Sequence, residues 1–437
     1  MIFPLGLILL AGATAFVVAY GTDPRWIQFA HGLDLILFSR RFQWPLVSVS
    51  LIACIALLGL VVSGRRRAWW LIGLAPVLAL FAHRFAIGPA AGTMTAIENP
   101  TFVNAPEARF IKDEDYVVGL SFDNVHYAYP YAQLYSTPVV LQADHEKRIM
   151  LIWSAYANRA VAVNVGRDLH ARDFDIVSTP ANALLLYNSR LGQFINGLKG
   201  LTTKGEKPAG FGVAIPTMKM PWGQWRRGHE DTKVLAPQPL ASPFAIAAPT
   251  QPIKPTCPMP PMVLEHPAEF SIAMIGTTHP AAIASDAVGP APLNLKADDA
   301  PVFVFRSESS DPIQGFNRQI KPDLMPRFVR NTNARKHPTA TFVDVDTNSG
   351  WDANGAWIDG LKDLKGKKLV RMPVDDGLYW GVMKYWYPDL QLETVTASPE
   401  PSLSEPDEQP ATQPARHSRR SRGGRSRRSE YNPAAAR

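Results

Sequence analysis

Asp344, Asp346, Asn348 and Asp352 occupy the first, third, fifth and ninth places of the run Asp344-Val345-Asp346-Thr347-Asn348-Ser349-Gly350-Trp351-Asp352. Oxygen-bearing side chains at that spacing suit a hard cation, because calcium takes six or more oxygens around a tight turn. The full loop also needs glycine at the sixth place and glutamate at the twelfth, where this chain has Ser349 and Gly355. That departure favours a plain Asx- and serine-rich turn before a strand and leaves calcium as the weaker candidate. Cys257, Met259, Met262 and His266 are soft donors of the sort copper(I) selects, but the prolines between them stiffen the chain against wrapping an ion. His126, Tyr127 and Tyr129 near Asp123 supply groups for acid–base work near neutrality. No serine-centred nucleophile motif accompanies them, and aromatics at alternating positions more often pack a sheet face. Trp222, Trp225, Trp380 and Trp386 could stack on a planar ligand, with core packing the simpler expectation.

Asn188, Ser189 and Ser349 form a further polar set, because they belong to a pattern that occurs twice. The first occurrence reads Asn188-Ser189 and then Gly192-Gln193-Phe194-Ile195-Asn196-Gly197-Leu198-Lys199-Gly200-Leu201. The second reads Asn348-Ser349 and then Gly355-Ala356-Trp357-Ile358-Asp359-Gly360-Leu361-Lys362-Asp363-Leu364. Each continues to a proline (Pro216, Pro373), a Trp-Gly pair (Trp222-Gly223, Trp380-Gly381) and an aspartate (Asp231, Asp389). Paired lobes on one plan give any cleft between them two related walls. The two copies agree at glycines, aromatics and apolar positions and differ where chemistry would sit.

Those residues must be positioned by a chain that changes texture along its length. Residues 2–20, 44–63 and 68–82 are uncharged apolar runs, and a helix of roughly 20 such residues spans a bilayer. The third is short unless residues 85–88 extend it, and the first could alternatively be a signal peptide. Arg65-Arg66-Arg67 fills the loop between the second and third runs, so the positive-inside rule puts that loop in the cytoplasm and everything after the third run outside it. Cys54 lies in the second run and Cys257 far along the chain, so the two are not expected to pair.

Beyond residue 100 the texture is β-rich. Residues 147–153, 160–165, 183–187, 302–305 and 368–371 read as strands. Trp222, Trp225 and His229 would share one face of a short helix, with a second short helix over 379–387. Residues 236–268 are dense in proline and alanine, as in an extended linker or wrapping segment. The net charge of +7 is matched by Arg416, Arg419, Arg420, Arg422, Arg425, Arg427 and Arg428, so the high pI belongs to a tail. That tail is too polar to offset its chain entropy by burial and should be disordered. It suits an anionic surface; nucleic acid is not expected as a partner if the tail lies outside the cytoplasm.

The motifs together resemble a bacterial family of unknown function, domain of unknown function 3179, over about residues 113–396. The family's aspartate followed by Thr-Gly-Ser-x-Trp and spaced glycines is similar to Asp346-Thr347-Asn348-Ser349-Gly350-Trp351 with Gly355 and Gly360. Its Ala-Tyr-Pro-x-x-x-Leu is similar to Ala128-Tyr129-Pro130-Tyr131-Ala132-Gln133-Leu134, and its Leu-Tyr-Asn-Ser to Leu186-Tyr187-Asn188-Ser189. Where many members carry Tyr-Cys-Pro-Leu-Cys, this chain has Trp153-Ser154-Ala155-Tyr156-Ala157, which removes support for a thiol, metal or redox role. The resemblance implies a membrane-linked or exported β-rich protein without an established activity.

The sequence therefore predicts a membrane anchor of about three transmembrane helices over 1–90 and a β-rich lobe over 101–235. A linker over 236–268, a second, related β-rich lobe over 269–396 and a disordered tail over 397–437 follow. The expected location is a bacterial inner membrane with the lobes extracytoplasmic, in contact with membrane lipid. The favoured activity is that of a binding or scaffold module rather than an enzyme. The competing readings are an extracytoplasmic enzyme or small-ligand or metal-binding protein with a site between the lobes, where Asn188, Ser189, Asp346 and Ser349 would meet, and a subunit of a larger membrane complex.

Overall fold

Helices α1 (Ile2–Tyr20), α2 (Gly32–Arg41), α3 (Gln43–Val62) and α4 (Ala75–Ala82) open the computed structural model, which describes residues 2–64, 68–87, 94–144, 147–238, 248–277, 279–309 and 311–393. A 3-10 segment (Ala68–Leu74) precedes α4 and a π-helical turn (His83–Ile87) follows it. Three helical stretches are thus long and apolar enough to cross a membrane: Ile2–Tyr20, Gln43–Val62 and Ala68–Phe85. They pack through small residues, Ala11, Ala15 and Ala53 with Val77, and the Ser50 hydroxyl donates to the Ala11 carbonyl at 3.0 Å. Small side chains let helices approach where lipid leaves no hydrophobic drive between them. Leu9, Leu51, Ile52, Ile55, Leu58 and Leu78 point away from this seam and are exposed. Both cysteines are free.

Helix α2 was not anticipated, because its aromatic and charged residues read as a loop. Its amphipathic face buries Ile36 against Val177, Leu185 and Phe194, which docks the N-terminal helices on the β-sheets. Gly32 allows the turn into it, since a Cβ there would lie 1.7 Å from the Trp26 carbonyl oxygen.

The first group of sheets is built from β1 (Ala96–Glu98), β2 (Phe102–Asn104), the hairpin β3 (Tyr116–Phe122) and β4 (Val125–Pro130), and, after the one-turn helix α5 (Tyr131–Leu134), β5 (Val139–Asp144), β6 (Lys147–Ser154) and β7 (Arg159–Val165). A meander follows, β8 (Phe174–Ser178), β9 (Leu185–Asn188), β10 (Gln193–Asn196) and β11 (Leu201–Thr202), then β12 (Phe211–Ile215), β13 (Thr217–Pro221), helix α6 (Trp222–Gly228) and β14 (Lys233–Leu235). The sheet orders are β1-β5-β6-β7-β12, β11-β10-β9-β8 and β13-β3-β4-β14-β2.

Strand β6 shows why the run Ile149-Met150-Leu151-Ile152-Trp153 is apolar throughout. Ile149, Leu151 and Trp153 face Val118, Leu120, Tyr127 and Tyr129 of the β3–β4 sheet. Met150 and Ile152 face Phe174, Leu186 and Ile195 of the meander. A strand covered on both sides loses the polar alternation of a half-exposed one. On the far side of β3–β4, Trp222 and Trp225 of α6 pack on Val117 and Ala128.

The second group comprises β15 (Ser271–Ile275), β16 (Ala281–Ala284), β17 (Leu293–Ala297), β18 (Ala300–Phe305), β19 (Gln314–Asn317), the meander β20 (Phe328–Arg330), β21 (Phe342–Asp344), β22 (Ser349–Trp351) and β23 (Trp357–Asp359), then β24 (Arg371–Met372), β25 (Val374–Tyr379) and helix α7 (Trp380–Trp386). Its sheet orders are β16-β15-β25, β17-β18-β19-β24 and β20-β21-β22-β23. Val302 and Val304 of β18 face Ala273, Ile275 and Ile283, while Phe303 and Phe305 face Phe328, Phe342 and Trp351. Trp380 of α7 packs with Ile272 and Leu378.

The predicted strands over 147–153, 160–165, 183–187 and 302–305 and the two short helices are all present, with shifted ends. Residues 368–371 fall short: Lys368 makes one isolated bridge to Ala356, and the strand is only Arg371–Met372. Residues 248–268 carry no helix or strand but are held in place, with Thr250 O accepting from Tyr116 N at 2.8 Å and Ile253 O from the Tyr379 hydroxyl at 2.8 Å. Residues Met1–Val395 form one compact unit; Arg416, Arg419, Arg420, Arg422, Arg425, Arg427 and Arg428, together with Arg65, Arg66 and Arg67, lie outside the described residues.

Candidate functional site

Asn158 ends the 3-10 turn Ala155–Ala157 in the left-handed region (φ 50°), which asparagine tolerates better than most residues. That turn sends the next residue, Arg159, into the start of β7, where only 8% of it is exposed. Asn158 is itself fixed from both sides: the Tyr131 hydroxyl donates to its Oδ1 at 2.7 Å, and its Nδ2 donates to the Gly377 carbonyl at 2.9 Å. Burial pushes the Tyr131 phenol well above its ordinary range, so it stays a donor.

Lys219 of β13 reaches the same place from another strand. Its Nζ lies 2.5 Å from Asp375 Oδ1 of β25 and also donates to the Asn158 carbonyl. The Lys219 side chain is 5% exposed, and desolvation lowers its pKa although Asp375 acts in the opposite sense. Arg159 Nε stands 3.7 Å from Asp375 Oδ2, beyond hydrogen-bond reach, and has no hydrogen-bond partner although it is buried. The Nη1 of Arg159 meets only thioether sulfurs, Met274 at 3.3 Å and Met383 at 3.9 Å. A guanidinium offers five donors, and sulfur is a weak acceptor, so this one is poorly satisfied.

Arg159 is not sealed in. A cleft of about 1060 Å³ runs between β7, β12 and β13 on one wall and residues 276–280, 373–375 and 387–390 on the other. Val161, Leu201, Ile215 and Leu390 give it apolar sides, and Arg159, Lys199, His279, Asp375 and Asp389 are its ionisable groups. The Arg159 guanidinium lies 5.5 Å and the Lys199 ammonium 4.4 Å from the centre of the Tyr387 ring. Desolvation and the neighbouring Arg159 lower the Lys199 pKa. Next to the cleft, Arg306 pairs with Asp376 at 2.5 Å. Two cations, Arg159 and Lys199, and two carboxylates, Asp375 and Asp389, line the cleft, and Asp375 is already engaged by Lys219.

The residues singled out in the sequence lie elsewhere. Asn188 ends β9 and its Oδ1 accepts from Leu191 N at 3.0 Å, while the Ser189 hydroxyl donates to the Asp173 carbonyl at 3.3 Å. Ser349 is buried in β22, where its Oγ lies 2.8 Å from the Thr347 hydroxyl and accepts from Leu361 N at 3.0 Å. Asp344 accepts from Thr347 N at 2.6 Å and from the Trp351 indole at 3.1 Å; Asp346 accepts from Arg327 N at 3.0 Å; Asp352 accepts from Ala356 N at 2.7 Å. Asn348 Oδ1 lies 3.4 Å from His337, whose Nδ1 is 2.5 Å from Asp359. The polar groups are thus held by local contacts, with Thr347 linking Asp344 and Ser349, while the buried Asn188 Nδ2 has no hydrogen-bond partner. Among the described residues, no group of three or more His, Cys, Asp and Glu side chains is arranged to hold a metal ion.

Tyr127 and Tyr129 are buried on one sheet face, with the Tyr129 hydroxyl on Gln142 at 2.5 Å, and His126 contacts the Ser121 hydroxyl at 2.7 Å and the His229 ring. Trp222, Trp225 and Trp380 are almost wholly buried core residues, and the Trp386 indole donates to the Ala181 carbonyl at 3.3 Å. Cys257 is held by Asn182 and by the Thr179 hydroxyl at 3.1 Å. Sequence reasoning missed Arg159, Lys199, Lys219 and Asp375. A basic residue directly after Asn158 at the head of an apolar strand was the one local signal.

The family model described as "Protein of unknown function (DUF3179)" matches residues 92–390, beginning earlier than the motifs alone suggest and taking in β1 and β2. No curated protein and no solved structure matches the chain.

Proposed function

From the premise that this chain belongs to the DUF3179 family, we propose that it is a membrane-anchored, extracytoplasmic binding module of two related lobes, holding an anionic ligand with an apolar body in the cleft between them. The observation that carries the reading is Arg159, a nearly buried guanidinium with an unpartnered Nε at the edge of a cleft of about 1060 Å³. A carboxylate or phosphate supplies the acceptors that the methionine sulfurs lack, and a charge-assisted hydrogen bond of this kind contributes about 1.5–3 kcal/mol. The apolar walls select a ligand with a hydrocarbon or similar body.

Relatedness of the lobes is supported by strand order. The arrangement β13-β3-β4, β5-β6-β7-β12, β8 to β11 has its counterpart in β25-β15-β16, β17-β18-β19-β24, β20 to β23. The Trp-Gly pairs play one role twice. Trp222 N and Gly223 N donate to Asp115 and Asp113 carbonyls, as Trp380 N and Gly381 N donate to Phe270 and Ala268 carbonyls. In this correspondence Asn188 matches Asp344, each accepting from the amide three residues on, so the Asn188-Ser189 and Asn348-Ser349 pairs are not equivalent. On this reading residues 101–235, with β1 ahead of them on β5, and residues 269–396 are the two lobes, and 236–268 joins them.

Placement outside the cytoplasm is supported by Arg65-Arg66-Arg67 between the second and third candidate spans. Arg25, Arg40 and Arg41 lie between the first and second apolar runs and weigh the other way, but two of them have local work: Arg25 pairs with Asp23 at 2.6 Å and Arg40 with Asp175. A binding role is favoured over an enzyme because Asn188 and Ser189 lie at the β9–β10 turn and Asp346 and Ser349 at the β21–β22 turn, and none of the four lines the cleft. The test is thermal unfolding of the full chain in nanodiscs with hexanoate or hexanol. Hexanoate raises the midpoint, hexanol does not, and Arg159→Gln removes the effect. An equal rise with hexanol, or one that survives Arg159→Gln, contradicts the reading.

A further inference from the structure

A second cavity, of about 390 Å³, lies where the anchor meets the soluble sheets and shares no residue with the cleft. Arg40, Gln43 and Arg84 line it from the anchor; Thr95, Arg172 and Asp175 line it from the soluble part. Three guanidinium groups therefore face one carboxylate, and that carboxylate is already paired with Arg40. Arg84 has only a long contact, Nη2 to Gln43 Oε1 at 3.4 Å, and its buried Nε has no hydrogen-bond partner. Arg172 is exposed at the rim.

The depth of this cavity relative to a bilayer follows from its neighbours. Arg84 sits at the end of the third apolar stretch and Gln43 at the start of the second, both on the side of the soluble sheets. Aromatic rings cluster at this level: Tyr20 stacks on His83 at 5.1 Å and Trp44 on Phe85 at 6.4 Å, and the Trp26 indole donates to the Tyr20 carbonyl at 2.6 Å. Tyrosine and tryptophan mark the zone where hydrocarbon gives way to headgroups. The cavity is thus basic, partly unsatisfied and at headgroup depth.

We propose that this junction cavity binds a phosphate-bearing anion, either the headgroup of an anionic phospholipid or a free phosphate, through Arg84 and Arg172 beside the Arg40–Asp175 pair. The phosphate oxygens accept from the unpartnered Arg84 edge, and a planar guanidinium suits them better than an ammonium. Asp175 keeps Arg40 oriented and limits the site to one such anion. A bound headgroup would also cement the soluble sheets to the anchor.

Native mass spectrometry of the full chain released from detergent tests this with phosphatidylglycerol, phosphatidylcholine and inorganic phosphate as probes. Phosphatidylglycerol is expected to be retained in preference to phosphatidylcholine, and Arg84→Gln and Arg172→Gln each weaken it about fivefold. Arg84→Lys keeps the charge but not the fork, and recovers only part of the loss. Competition by inorganic phosphate assigns the site to free phosphate; retention of the lipid in its presence assigns it to the headgroup. Equal retention of the two lipids with no phosphate adduct, or binding untouched by the exposed Arg172→Gln, overturns the proposal. The hexanoate shift in these variants remains that of the parent, so failure here and failure of the cleft are separable.

Discussion

Lys219 and Asp375 meet at 2.5 Å although they stand 156 positions apart in the chain, one on β13 and the other on β25. The pair is nearly buried, and burying two charges costs several kcal/mol per ion before their attraction returns it. Its value is therefore one of specification: it fixes which strands face each other at the head of the cleft. Removing one partner is expected to be far worse than removing both. Asp375→Asn destabilises the chain by about 3–5 kcal/mol, and Lys219→Met with Asp375→Leu returns to within about 1 kcal/mol of the parent. Urea unfolding followed by tryptophan fluorescence measures both, and a double variant as unstable as the single one would argue against this role.

Asn158 combines a left-handed backbone with two side-chain hydrogen bonds that tie the first group of sheets to Gly377. Asn158→Ala loses both bonds and strains φ, for about 2–4 kcal/mol. Asn158→Gly loses the bonds but not the backbone comfort, and is milder by about 1 kcal/mol. If the two substitutions prove equal, the backbone conformation contributes nothing.

Glu98 supplies a pH dependence. Partial desolvation raises its pKa, but hydrogen bonds from His170, Ala171 N and Arg148 outweigh that and hold the carboxyl below its ordinary value. A carboxylate with a depressed folded pKa stabilises above its unfolded value of about 4.3 and loses that stabilisation as pH falls through the folded value. Stability should therefore decline on acidification below about pH 4.3, and Glu98→Gln should flatten part of the decline. An unchanged acid limb in the variant would remove Glu98 from the account.

Calcium should be without effect. Asp344, Asp346 and Asp352 each serve a separate local hydrogen bond, so binding a cation would first require breaking them. Thermal scans with calcium and with chelator should superimpose, whereas a chelator-sensitive rise would reinstate the acidic run as a metal site.

Apolar pattern made much of this architecture legible before any coordinates. Three uncharged runs became three helices, and Ile149 to Trp153 became a strand because both its faces are covered. The Trp-Gly pairs were readable because they combine a core tryptophan with a glycine pressed against another chain segment; a Cβ at Gly381 would lie 2.7 Å from the Ala268 Cβ. Helix α2 was invisible, since its apolar face is short and its partners, Val177 and Phe194, lie far along the chain. The acidic turn drew notice because local motifs concentrate polar residues, yet turns consume those groups in their own hydrogen bonds. Arg159 and Asp375 were missed for the opposite reason. Their significance comes from tertiary proximity, and beyond the place of Arg159 after Asn158 at the head of an apolar strand no local pattern signals it.

Isothermal titration of hexanoate into the full chain in nanodiscs, compared with Arg159→Gln and with Arg84→Gln, tests the cleft most directly. Saturable binding in the parent and in Arg84→Gln, weakened at least about tenfold in Arg159→Gln, is the predicted result. Binding of equal strength in Arg159→Gln, or none in the parent, would contradict the assignment of an anionic ligand to the cleft.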